Sequence, residues 1–104
     1  MRKARVFVNG TEAGVLTEVR YGSGYVFEYL DGYDGPEISV TMPVDQKTYR
    51  FDRFPPFFEG LLPEGFQLEG LLKIKKIDET DYFSQLMAVG EDMIGAVTVK
   101  EIQE

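Results

Sequence analysis

The sequence predicts an α+β domain: a small curled, barrel-like antiparallel β-sheet with two or three short helices packed on one side or end. Three observations predict it. Apolar residues alternate through the first half of the chain, punctuated by Asn-Gly and Gly-x-Gly turns. In the second half they recur at helical spacing between prolines, and from Gly95 onward the pattern returns to strand character. At 104 residues this is one domain, 1–104, without linker, repeat or low-complexity tract.

Ala4, Val6 and Val8 alternate with Arg5, Phe7 and Asn9, the period of a half-buried strand. Asn9-Gly10 supplies the positive backbone angles of a tight hairpin, and Gly14 to Val19 returns. After the Gly22-Ser-Gly24 turn, Tyr25, Phe27 and Tyr29 share one face of a third strand. Asp31 to Pro36 is a loop by composition. Ile38, Val40 and Met42 predict a fourth strand ended by Pro43, and Thr48 to Phe51 a short fifth. Pro55 and Pro56 suit a first helical turn that carries Phe57, Phe58, Leu61 and Leu62, with Pro63 ending it. Pro63 and Glu64 also open a second helix, whose Leu68, Leu71 and Leu72 form one apolar stripe. Asp78 or Thr80 is expected to cap a third helix with Phe83, Leu86 and Met87 inward and Gly90 as its stop.

Charge and composition exclude whole classes of function. Lys plus Arg number 11 against 18 Asp plus Glu, a net charge of −7, which repels phosphate backbones and argues against direct nucleic-acid binding. The absence of Cys removes disulfides and thiolate chemistry, and the absence of His removes the commonest metal ligand and general base. No cofactor is expected. Nor does any apolar stretch read as a signal peptide or membrane span, so a cytoplasmic protein is expected. Gly22-Ser-Gly24 lacks the third glycine of a nucleotide loop, and Asp31 and Asp34 lack the spacing of a calcium loop. Turn chemistry accounts for both.

The segment from Arg53 to Phe66 is the least ordinary, with four Phe, three Pro and two Leu in fourteen residues. Advancing ~100° per residue along the second helix sets Phe66 opposite Leu68, Leu71 and Leu72, alongside Gly70 and Lys73. Phe66 is then either an anchor for another protein or a cover for the preceding Phe- and Leu-rich turn. Lys73, Lys75 and Lys76 form the one basic cluster, which complements a helix C-terminus or docks an acidic partner.

Three pieces of sequence carry a family resemblance. They are Asn9-Gly10 with Gly14-Val-Leu; Phe57-Phe58-x-x-Leu-Leu-Pro-Glu-Gly65; and Asp81-Tyr-Phe-x-x-Leu with Gly90-x-Asp92-x-x-Gly-Ala-Val97. In this order and spacing they resemble the amino-terminal subdomain of HipA-type serine/threonine kinases across essentially the whole chain. The catalytic lobes of such a kinase are not among these residues, so the nearer resemblance is to the HipS-like antitoxins of HipBST toxin–antitoxin systems. There the HipA-like kinase HipT is the toxin and HipB a helix-turn-helix DNA-binding protein.

The resemblance implies a non-catalytic antitoxin that binds and neutralises a HipT/HipA-like kinase near its active site, with a HipB-like protein as third component. It implies partner-binding residues Leu62, Pro63, Glu64, Gly65 and Phe66, with Lys73 beside them. Gly90 is expected to end a helix and Gly95 to admit close approach of the last strand. Gly70 departs from the pattern, because glycine inside a helix costs ~1 kcal/mol against alanine. The alternative implied function is a detached structural subdomain of such a kinase, needed for folding or assembly rather than inhibition.

Overall fold

Alternating burial organises the sheet. In the computed structural model, which describes residues 1–93 and 95–103, strands β1 (Arg2–Val8), β2 (Thr11–Arg20) and β3 (Ser23–Tyr29) form successive antiparallel hairpins. Asn9 and Gly10 take the positive φ of 50° and 83° expected at the first turn. Strand β4 (Thr48–Phe51) pairs with β3, and β5 (Val97–Glu101) pairs with β1, giving the order β4-β3-β2-β1-β5. The α+β class is as expected. The sheet curls but stays open, with β4 and β5 as edges, so it is not a closed barrel.

One face of the sheet is dry. Rows of directly paired residues, Ala4–Leu16–Phe27 and Val99–Val6–Gly14–Tyr29, lie buried on this face, with glycine at position 14 making room for the Phe27 ring. Helices α1 (Pro56–Glu59) and α3 (Tyr82–Val89) supply Phe58, Phe83 and Leu86 to the same cluster. Phe58 sits 6.1 Å from Phe27, ring to ring. Helix α2 (Gly65–Lys75) stands apart and buries none of its residues fully.

Several expectations are corrected. Ile38 to Met42 is not a strand. Its apolar alternation is real, since Ile38 and Met42 are buried and Val40 is exposed, but a side chain holds it rather than a ladder. The Tyr29 hydroxyl donates to the Met42 carbonyl and accepts from the Ile38 amide at 3.1 Å. Tyr33 stacks on Tyr29, and the Tyr49 hydroxyl donates to the Pro43 carbonyl at 2.6 Å, tying down the rest of this long connection. Asp31 is engaged by Lys47 in an ion pair.

The cap of α3 is Asp81, not Asp78 or Thr80: its carboxylate accepts the Ser84 amide at 3.1 Å. Asp78 instead closes a turn onto Thr80. Helix α1 ends at Glu59, ahead of Leu61 and Leu62. The two late glycines differ from expectation as well. Gly90 does follow α3, but in right-handed conformation, and it is Gly90 that lies against the last strand: an added Cβ would stand 2.4 Å from the Val99 carbonyl oxygen. Gly95 has open space there and a φ of 122°. Ile94, inside the Gly90-to-Val97 piece, and Glu104, the last residue of the expected domain, lie outside the described residues.

Candidate functional site

The segment joining α1 to α2 is built to present a side chain. Pro55 and Pro56 start α1, and the Leu61 and Leu62 amides donate to the Phe58 and Glu59 carbonyls at 3.1 Å, continuing the turn. Leu61 and Leu62 pack against the core, while Pro63 is half-buried. Glu64 is extended (φ −128°, ψ 164°), and its carbonyl accepts the Leu68 amide at 3.4 Å to open α2. Gly65 follows with φ 60°, a conformation side chains resist. Phe66 then emerges with 92% of its surface exposed.

Leu68, Leu71 and Leu72 face inward but are only half-buried, and Lys73, Ile74 and Lys75 are exposed. The helix ends as the lysine cluster predicted: Lys76 caps it in left-handed conformation (φ 55°), with Lys73 and Lys75 in the last turn. A cleft of about 290 Å³ runs beneath the connection, lined by Pro56, Leu62, Pro63, Glu64, Leu68 and Tyr82 among others. Leu62, Pro63, Glu64, Gly65 and Phe66 are thus one continuous ledge. Lys73 lies about 10 Å further along the same outer face of α2 by helical rise.

Ile74, 79% exposed, belongs to this face and was not singled out from the sequence. The signal was there: it sits two helical turns beyond Phe66, through Gly70.

A second feature that sequence reasoning missed lies near the other end of the domain. Arg2 donates from Nε and Nη2 to both carboxylate oxygens of Glu18, at 2.6 and 2.9 Å. It also donates to Asp81 at 2.9 Å and to the Ser84 hydroxyl at 2.7 Å. Glu18 is only 3% exposed and accepts further from the Gly22 amide and the Tyr25 hydroxyl. Tyr21 and Phe83 rings flank the guanidinium at 4.9 and 5.0 Å. Burial works to raise the Asp81 pKa, but hydrogen bonds from Arg2, Ser84 and Tyr21 outweigh it and bring the carboxyl down to about 2. Burial first, then the Glu18 charge, pushes Tyr25 up to about 12. Every member has a partner and none faces an enclosed cavity, so the cluster staples β1, β2 and α3 together.

Among the described residues no group of three or more His, Cys, Asp or Glu is placed to hold a metal, and no helix is long and apolar enough to cross a membrane. The site is a ledge and a helix face.

The comparisons with known proteins bear on the whole chain. The family model for the HipA N-terminal domain matches residues 4–100. The chain belongs to the HipA N-terminal domain family. Over 101 residues it is 35% identical to an uncharacterized protein of Haemophilus influenzae (strain Rd), covering 97% of this chain and 93% of that one. Among solved structures it is similar to the N-terminal domain of HipA toxin, with a TM-score of 0.79 and 32% identity, over 100% of this chain and 95% of the other. As a HipA N-terminal domain, it carries the ledge and α2 on the same fold as that relative.

Proposed function

We propose that this chain is an antitoxin, a non-catalytic inhibitor that docks on a HipT/HipA-like serine/threonine kinase through the Leu62–Phe66 ledge and acts near the kinase active site. The observation that carries the proposal is the presentation of Phe66. Leu61 and Leu62 hold the ledge to the core, and the ring at its end is left almost wholly in water. Burying such a ring against a partner is worth about 2–3 kcal/mol, the size of an interface anchor. The held lead-in limits the ordering cost of binding. Glu64 and the net charge of −7 favour encounter with a basic nucleotide cleft, and Lys73 offers one positive contact at the rim. A HipB-like helix-turn-helix protein is the proposed third component and takes over DNA contact, for which this acidic chain is unsuited.

The test is autophosphorylation of the HipA-like kinase found with this chain, in the presence of wild-type protein or of Phe66→Ala with verified fold. Wild type is expected to suppress the reaction, and Phe66→Ala to need roughly 30-fold more protein for the same effect. Equal inhibition by both would remove Phe66 from the mechanism.

A second reading, a detached structural subdomain, has one observation in its favour. The face of the sheet away from the helices carries Phe7, Val15 and Val26 half-buried, as a surface covered by the rest of a kinase would. Activation rather than inhibition of a kinase core by the added chain would select that reading.

A further inference from the structure

The outer ridge of α2 is complementary to itself, and we propose that a second copy of this chain docks on it, the two α2 helices packing antiparallel around Gly70. Phe66, Gly70 and Ile74 are spaced four residues apart and form one ridge of the helix. The two apolar members, Phe66 and Ile74, are 92% and 79% exposed. Gly70 lies between them with helical φ, and nothing stands within 4 Å of where its Cβ would be. Neither backbone conformation nor crowding within one chain calls for glycine there. A surface that closes on this point from outside does.

The spacing is symmetric. Phe66 and Ile74 each lie four residues from Gly70, about 6 Å along the axis in opposite directions. A two-fold axis through Gly70 therefore sets Phe66 of each copy beside Ile74 of the other, and the paired glycines let the backbones approach.

The charges follow the same axis. Glu69 and Lys73 lie on one flank of the ridge, and neither has an ion-pair partner among the described residues of the single chain. Antiparallel pairing brings Glu69 of each copy beside Lys73 of the other, with an axial offset of about 3 Å. A parallel two-fold pair would instead set this charged flank against the other flank of the partner helix, with no charges paired. The opposite flank carries the neutral Gln67. This match of sign and position is what selects a second copy as the occupant.

Two eleven-residue helices bury well below the ~1,200 Å² typical of stable complexes, so the association is weak, with Kd in the range of roughly 0.1 to 1 mM. Phe66 is covered in it. The pair is thus a resting form that competes with any other protein for the same ring. Self-association requires no kinase, and it stands or falls independently of the function proposed above.

Sedimentation equilibrium of the purified full chain from about 10 μM to several mM tests the proposal. The weight-average mass is expected to rise from the 11.8 kDa monomer toward twice that value. Gly70→Leu, which the open space admits in the single chain, is expected to leave a folded monomer throughout, with the fold checked by circular dichroism. Glu69→Lys is expected to weaken association about tenfold, and the double variant Glu69→Lys/Lys73→Glu to recover it, because the pairs are restored with signs exchanged. A wild-type chain that stays monomeric to several mM overturns the proposal. So does a dimer indifferent to Gly70→Leu, or a charge exchange that fails to recover association.

Discussion

Arg2→Met removes a guanidinium and keeps most of its aliphatic stem, so it isolates the charge network from packing. The variant leaves Glu18, 3% exposed, with only the Gly22 amide at 3.2 Å and the Tyr25 hydroxyl at 3.3 Å. It also removes the guanidinium that donates to Asp81 and Ser84, leaving Asp81 with the Ser84 and Tyr21 donors. Breaking a buried pair by removing one partner costs ~3–5 kcal/mol, because the remaining charge is left without compensation. The Arg2 side chain is 29% exposed, so water partly replaces it and the expected loss falls to roughly 2–4 kcal/mol. A domain of this size has a total stability of about 5–15 kcal/mol, so the variant remains folded but marginal. Urea unfolding followed by far-UV circular dichroism should show the midpoint falling by about 1–2 M with little change in slope. Glu18→Gln in the same background then removes the orphaned charge. The double variant is expected to be at least ~1 kcal/mol more stable than the sum of the two single losses allows. A loss below ~1 kcal/mol for Arg2→Met, or strict additivity of the pair, would refute the claim that these groups act as one staple.

Acid should act through the same cluster. The folded pKa of Asp81, about 2, lies below its ordinary value of 3.8. Its stabilisation, on the order of 2 kcal/mol, is therefore complete above pH ~4 and is lost as pH falls from there through about 2; urea midpoints across that range should decline less in Asp81→Asn. Gly90→Ala places a methyl 2.4 Å from the Val99 carbonyl oxygen and 2.9 Å from that of Leu86, both backbone, so a thermal scan should show a loss of about 1–3 kcal/mol. Tyr29→Phe leaves the Ile38 amide and the Met42 carbonyl without their partner, costing about 1–3 kcal/mol, and hydrogen exchange at Ile38 should accelerate. Gly70→Ala adds a methyl into open space within a helix and is expected to raise stability by up to about 1 kcal/mol in chemical denaturation.

Periodicity by itself determined the strands and helices in most of the segments where one side of the element meets the core. Ala4–Val6–Val8, Tyr25–Phe27–Tyr29, Phe83–Leu86 and Thr48–Phe51 all lie in the elements their spacing predicts. The Asn9-Gly10 turn and the lysines closing α2 were equally legible, because backbone angle and helix-end charge are local requirements. The Leu62–Phe66 ledge was legible as a motif, and the outward direction of Phe66 followed from helical pitch.

What only the tertiary structure decided are the choices among local options of similar energy. Ile38 to Met42 alternates like a strand, but the hydroxyl of Tyr29 satisfies its backbone first, and the segment packs without a ladder. Asp78, Thr80 and Asp81 are all competent caps, and Arg2, distant in sequence, draws Asp81 into the role. Gly90 closes α3 as expected and also takes the close approach expected of Gly95, because the position of Val99 is fixed by the β1–β5 pairing rather than by either glycine. Whether the leucines of α2 would sink fully into the core was likewise beyond local pattern. They stay half-buried, which leaves the opposite ridge in water. Local sequence sets conformational preference within a turn or two, whereas burial depends on which distant surfaces reach that place first.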